Sequence, residues 1–254
     1  MPIALLTDFG ARDPYVAAMK GVLAARTDVP VADLTHDIAP FDVVEAAWFL
    51  RTVVSFWPAG TIFVAVVDPG VGTERKIVAA KEEGRLFLAP DNGLLSLVLT
   101  EASEIRSVEN SELFLPSGST TFHGRDRFAP VAAALATGLP FSDTGPPLTS
   151  IVRIAYEPPD YGPDTAQGRI MAVDRFGNLI TDIERARLPF DEYELHARDL
   201  VIDRIESSYG DAAPGPFLIV GSSGCIEISV ANGSAAEQLR LRRLQRVEVR
   251  KRPV

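Results

Sequence analysis

Across roughly the first 140 residues, apolar runs of strand length alternate with stretches of helical spacing. Ile3 to Thr7 reads as a short buried strand ending at Asp8-Phe9-Gly10, and Val29 to Leu34 as a second. Ile62 to Val67 is β-branched and apolar throughout, the composition of a strand buried on both faces. Pro14 to Arg26 sets Val16, Met19, Val22 and Leu23 on one side of a helix. Val43 to Trp57 is a second helix, opened by Asp42 as N-cap and closed by Pro58. Ile77 to Ala80 and Leu86 to Ala89 read as a hairpin, Gly93 to Thr100 as a helix, and Phe128 to Thr137 as another that stops at Gly138. This alternation predicts an α/β domain with a largely parallel central sheet.

From Phe141 to Gly168 the pattern breaks, with Pro146, Pro147, Pro158, Pro159 and Pro163 marking a linker. Beyond it come short alternating segments, Gln167 to Val173, Leu179 to Ile183, Glu194 to Ile202, Phe217 to Val220, Cys225 to Val230 and Arg246 to Arg250. They predict a small antiparallel barrel or sandwich, in which Ala235 to Leu241 alone has helical spacing. The expected division is an N-terminal α/β domain over 1–145, a Pro/Gly-rich linker over 146–166 and a C-terminal barrel over 167–254.

The net charge of −9 opposes non-specific binding to nucleic acid or an anionic membrane. The basic C-terminal tail, Arg240 to Arg252, intersperses Arg with Leu and Val as a solvated strand face does. With one cysteine, Cys225, neither an intrachain disulfide nor a multi-Cys metal site can form. The N-terminus lacks a basic signal-peptide region and no apolar run reaches bilayer length, so a cytoplasmic location is expected.

Chemistry concentrates at segment ends. The buried run at 62–67 stops at Asp68-Pro69-Gly70, where Pro69 cannot donate to a ladder. That leaves a carboxylate at the C-terminal end of a strand, the edge at which open α/β sheets bind ligands, with Arg75 near enough in sequence to fold back onto it. Taken alone, such an aspartate equally caps the following turn. Asp8 repeats the arrangement after the first strand, as a turn cap or as an acceptor for ribose hydroxyls. Within Thr121-Phe122-His123-Gly124-Arg125-Asp126, His123 is not on an apolar helix face, and Asp126 is placed to cap the next helix. Asp174 to Asn178 reads as a hairpin turn, with Gly177 and Asn178 supplying positive φ, or as an adenine site in which Phe176 stacks and Asn178 reads the base edge. Gly221-Ser222-Ser223-Gly224 is a small-residue loop suited to a carboxylate, and equally a plain turn. His36, His123 and His196 lack metal-ligand spacing, so no metal is expected. No nucleophile elbow, Walker loop or dinucleotide fingerprint is present.

Taken together, Leu6 to Gly10, Met19-Lys20-Gly21, His36-Asp37-Ile38, Val67 to Thr73, Pro90 to Gly93, Thr121 to Asp126, Asp174 to Asn178 and Ser222 to Glu227 resemble the ordered motifs of the adenosine-forming S-adenosylmethionine hydrolases. These are the hydroxide adenosyltransferases related to fluorinase and chlorinase, and the resemblance spans almost the whole chain. It implies an α/β domain joined to a β-barrel, assembled as a homotrimer with active sites between the N-terminal domain of one subunit and the C-terminal domain of the next. It implies an enzyme that converts S-adenosyl-L-methionine and water to adenosine and L-methionine without metal or organic cofactor. The family's water-positioning set maps onto Asp68, Arg75 and His123.

The resemblance further implies ribose contacts from Asp8 and an aromatic floor from Phe41. Base contacts fall to Phe176, Asn178 and the backbone near Val230 to Asn232, and methionine contacts to Asp13, Asp174, Ser222 and Ser223. Phe122 and Glu227 complete the implied substrate-binding set. Fluorinase carries an arginine where Ser223 stands, so the methionine carboxylate is held differently here. The alternatives are a non-catalytic S-adenosylmethionine or adenosine binder, which has no need of Asp68, Arg75 and His123 together, and a halogenase, which the Asp68 carboxylate opposes by repelling an anion.

Overall fold

The computed structural model describes residues 1–116, 120–210 and 212–252, in two compact units, Met1–Ala155 and Tyr156–Val254. In the first unit the strands are β1 (Ile3–Thr7), β2 (Val31–Thr35), β3 (Ile62–Val66), β4 (Ile77–Glu82), β5 (Arg85–Pro90) and β6 (Glu104–Ser107), and the helices α1 (Tyr15–Ala24), α2 (Val43–Val53) and α3 (Ala129–Ala136). They form one mixed sheet in the order β2-β1-β3-β5-β4-β6. β1 pairs in parallel with β2 and β3, and β3 with β5, while β4 runs antiparallel to both β5 and β6.

The all-apolar runs of β1 and β3 are buried because both sheet faces are covered. Met19 and Leu23 of α1 pack with Val131 and Leu135 of α3 on one face, and Ala46 and Leu50 of α2 with Leu94 and Leu95 on the other. Asp42 caps α2 as expected, its carboxylate accepting from the Glu45 amide at 2.9 Å.

Two expectations fail here, and one strand was not anticipated. Residues 93–100 form turns instead of a helix. The Gly93 carbonyl accepts from both the amide and the hydroxyl of Ser96, and Gly93 itself sits at φ 98°, outside the helical region. Asp126 does not cap the following helix. Residues 124–128 make a π-turn that runs directly into α3, so the flanking residue of α3 is already helical, and Asp126 instead takes Arg125. The short strand β6 escaped the sequence reading because only Ser107 of its four residues is buried.

The second unit holds β7 (Asp160–Tyr161), β8 (Thr165–Val173), β9 (Leu179–Glu184), β10 (Tyr193–Ala197), β11 (Leu200–Ile202), β12 (Pro216–Val220), β13 (Cys225–Val230), the short helix α4 (Ala235–Leu239) and β14 (Arg246–Lys251). Their order is β11-β10-β14-β8-β9-β13-β12, antiparallel throughout, with β7 on β8. Backbone bonds from Glu206 to the Leu218 carbonyl and from Leu218 to the Arg204 carbonyl draw the chain after β11 against β12, so the sheet nearly closes into a barrel. The expected strand over 194–202 is two, split where Arg198 turns at φ 53°. Of the expected pair of positive-φ turn residues, Gly177 adopts φ 85° and Asn178 does not join it.

Candidate active site

The order β2-β1-β3 means the chain leaves β1 toward one side and returns to the other, so the sheet has a switch point at β1/β3. Thr7 is paired with Val66 across these strands. Asp8 and Asp68 therefore emerge from adjacent C-terminal strand ends.

Beyond Asp68 the chain folds tightly back. Thr73 bonds the Gly70 carbonyl through amide and hydroxyl, and Gly72 turns at φ 81°. This return brings Arg75 onto Asp68: Arg75 Nη2 donates to Asp68 Oδ2 and lies 3.1 Å from His123 Nδ1, while Nη1 donates to the Lys76 carbonyl at 2.9 Å. A guanidinium only donates, so His123 Nδ1 is the acceptor and the proton of the neutral ring sits on Nε2. Burial, helped by the nearby charges of Arg127 and Arg75, lowers the His123 pKa to about 4. Burial also pushes the Asp68 carboxyl above its ordinary value, with Arg75 pulling the other way. Asp68 Oδ1 and His123 Nε2 are both buried without a hydrogen-bond partner among the described residues. One is an acceptor and the other a donor, so together they can hold a water.

Both side chains line a cavity of about 430 Å³ in this unit, with Asp8, Asp13, Phe41 and Phe122 also in its wall. Phe9, Tyr15 and Phe122 make an aromatic corner with centroids 5.2 to 6.1 Å apart. Asp8 Oδ2 accepts from the Phe41 amide at 2.9 Å. Phe41 has φ 68° and is 68% exposed, so it presents a ring at the cavity rim without neighbours to bury it.

The second unit has its own cavity, about 710 Å³, lined by Asp174, Phe176, Asn178, Tyr209, Val230 and the backbone-rich run 231–234. Asp174 accepts from the amides of Phe176 and Asn178 and from the Asn178 side chain, all at 2.8 to 2.9 Å, an Asx-turn that fixes the loop. Phe176 is 77% exposed and offers a free face. Glu227, buried, accepts from the Tyr209 hydroxyl at 2.9 Å. Burial raises the Glu227 pKa, and burial with the Glu227 charge pushes Tyr209 up to about 12. Ser222 and Ser223 are exposed in the turn after β12 and stand outside this lining. Glu227 lies against Gly221 at the base of that turn, which ties the serine loop to the cavity through Tyr209.

Sequence reasoning passed over Phe9, Tyr15 and Tyr209. Each is an aromatic set among Gly, Asp, Pro or Ser, outside the apolar set of any strand or helix, and that is the signal that would have found them. Among the described residues no group of three or more His, Cys, Asp or Glu is arranged to hold a metal ion, and no helix is long and apolar enough to cross a membrane.

The chain matches family models described as the SAM hydroxide adenosyltransferase N-terminal domain over residues 3–145 and C-terminal domain over 168–248. A Thermus thermophilus protein named (R)-S-adenosyl-L-methionine hydrolase is 40% identical over 256 residues, covering 95% of this chain and 96% of that one. A fluorinase from an Actinoplanes species is 31% identical over 216 residues, 73% of this chain and 72% of its own. The crystal structure of an uncharacterized conserved protein from Thermotoga maritima superposes with a TM-score of 0.91 at 34% identity, covering 98% of this chain and all of that one. With both of its domains matched in order, the chain belongs to the SAM hydroxide adenosyltransferase family.

Proposed function

We propose that this protein hydrolyses S-adenosyl-L-methionine to adenosine and L-methionine, acting on the R epimer at sulfur that its Thermus relative's name specifies. One observation carries the reading. Arg75 joins Asp68 and His123, whose side chains line a cavity, and Asp68 Oδ1 and His123 Nε2, one an acceptor and the other a donor, are buried without a partner among the described residues.

Water held by Asp68 Oδ1 and His123 Nε2–H attacks C5′ of the ribose in line with the sulfonium. The C5′–O bond forms as the C5′–S bond breaks, methionine departs as a neutral thioether, and the water's proton passes to Asp68. An Asp with a raised pKa accepts that proton better than an exposed one. The leaving group needs neither protonation nor a Lewis acid. Orientation of water against C5′ supplies the proximity advantage, which reaches about 7–11 kcal/mol in favourable systems. A halide in place of water would face the Asp68 carboxylate, which opposes the fluorinase reaction.

Asp8 receives the ribose hydroxyls on the oxygen that Phe41 leaves free, and Phe41 and Phe122 flank the sugar. In the second unit Phe176 stacks on adenine, with Asn178 and the backbone at Val230 beside it. Asp13, Asp174, Ser222, Ser223 and Glu227 take the methionine end. Ribose and water contacts thus fall in one unit and base contacts in the other. We infer that a homotrimer unites them, the N-terminal unit of one subunit facing the C-terminal unit of the next. A single, buried cysteine, Cys225, accords with a cytoplasmic setting. Incubation of the pure protein with each sulfonium epimer, followed by chromatography, tests the reading: the R epimer yields adenosine and methionine in equal amounts, and intact substrate from both epimers would refute it.

A further inference from the structure

Two of the ordered motifs, Met19-Lys20-Gly21 and His36-Asp37-Ile38, take no part in the chemistry above, yet they converge on it. His36 follows the last residue of β2, and Thr7 is the last residue of the neighbouring strand β1. The ladder between them is irregular near its end, with the register shifting between Leu5 and Leu6. Past that point side chains take over the pairing. Thr7 Oγ1 lies 2.9 Å from His36 Nδ1, and His36 Nε2 lies 3.0 Å from Asp33 Oδ1. Asp33 Oδ2 in turn accepts from Lys20 Nζ at 2.6 Å. The Asp33 carboxylate beside Nε2, close though outside hydrogen-bond geometry, favours the ring proton on that nitrogen, so Nδ1 is the acceptor and the Thr7 hydroxyl donates to it. That direction leaves the Thr7 oxygen free to accept from the Phe9 amide at 3.2 Å, while the Gly10 amide bonds the His36 carbonyl at 2.8 Å.

We propose that His36, through Thr7, is a positioning residue for Asp8, holding the 7–10 turn at the angle that presents the Asp8 carboxylate to a ribose diol. The chain runs Lys20, Asp33, His36, Thr7, and ends one residue before Asp8. Thr7 is fully buried, so its hydroxyl has no water to replace a lost partner. The outer Lys20–Asp33 pair is half exposed and contributes little by itself; its part is to fix the carboxylate that orients the imidazole. The ligand half of this inference rests on Asp8 as the ribose acceptor.

The test combines amide exchange with binding. In His36→Ala the Phe9 and Gly10 amides exchange faster than in wild type. Adenosine Kd and the KM for S-adenosylmethionine each rise about five- to tenfold, the scale of one lost hydrogen bond, with a much smaller change in kcat. Thr7→Val, which keeps the buried shape and removes the hydroxyl, has the same effect, and the double variant is no worse than either single one. His36→Asn, which restores an acceptor near Nδ1, recovers most of the affinity. Unchanged exchange at Phe9 and Gly10 in His36→Ala, or equal losses in the Ala and Asn variants, would overturn the positioning chain. Wild-type protein without affinity for adenosine would instead overturn the ribose role of Asp8 and the ligand half with it.

Discussion

The Asp8 carboxylate accepts a hydrogen bond from the Phe41 amide at 2.9 Å, and Phe41 adopts φ 68°, a left-handed conformation that L residues with a side chain rarely hold. One carboxylate thus braces a strained aromatic rim and offers its other oxygen to the cavity. Asp8→Ala removes both functions, and adenosine binding is expected to weaken by at least tenfold, read by calorimetry. Phe41→Gly, which relieves the φ strain and removes the ring, weakens adenosine less and leaves stability near wild type. Equal adenosine affinity in Asp8→Ala and wild type would remove Asp8 from the ribose site.

Arg75 is the hub between Asp68 and His123, reaching both through Nη2 while Nη1 is anchored on the Lys76 carbonyl, a fork that lysine cannot copy. Arg75→Lys is therefore expected to lose about 10²–10³ in kcat, the cost of one preorganised polar partner. Arg75→Met goes further. Without the guanidinium the burial of Asp68 loses its main opposition, its pKa climbs, and the acid limb of the rate profile moves to higher pH. Rate profiles of the two variants beside wild type check this. An Arg75→Met profile with an unmoved acid limb would show that Asp68 does not govern it.

His123 titrates at about 4 in the folded protein against 6.5 for a free imidazole. Its lowered pKa means the unfolded chain binds the proton more readily. The folded state therefore gains stability as pH rises from about 4 to 6.5, and loses that contribution as pH falls through the same window. Proton NMR should show a His123 ring signal that does not move between about pH 5.5 and 8, with the ring neutral throughout. A midpoint near 6.5 would contradict the buried, Arg-flanked environment.

How much of this was legible beforehand differs by element. β1 and β3 announced themselves because both faces are buried, and the Asp42 cap because its carboxylate serves a local amide. Asp68 and Arg75 were legible as a pair since a single tight loop separates them. His123 sits 48 positions from Arg75, and only the motif resemblance tied the two. The turns at 93–100 were misread because a Ser96 side-chain bond decides them, and apolar spacing does not record that. The split at Arg198 had no glycine to mark it. The Thr7–His36 bond was invisible because parallel pairing alone brings residues 29 apart in sequence together.

Gly221 touches the Glu227 carboxyl so closely that an added Cβ would lie 1.6 Å from Oε1. Gly221→Ala must displace Glu227 from Tyr209, an overpacking expected to cost about 1–3 kcal/mol. Thermal melts should show a lower Tm for Gly221→Ala and partial recovery in the double variant with Glu227→Ala. A Gly221→Ala protein as stable as wild type would mean that the buried acid moves aside freely.

The central claim is that water, held by Asp68 and His123, is the nucleophile at C5′. Turnover of (R)-S-adenosyl-L-methionine in oxygen-18 water, followed by mass spectrometry of the products, tests it most directly. The account predicts adenosine carrying one heavy oxygen at the 5′ position and unlabelled methionine, with the labelled product collapsing by about 10²–10³ in rate for Asp68→Ala. Adenosine without the label, or full-rate labelling by Asp68→Ala, would contradict it.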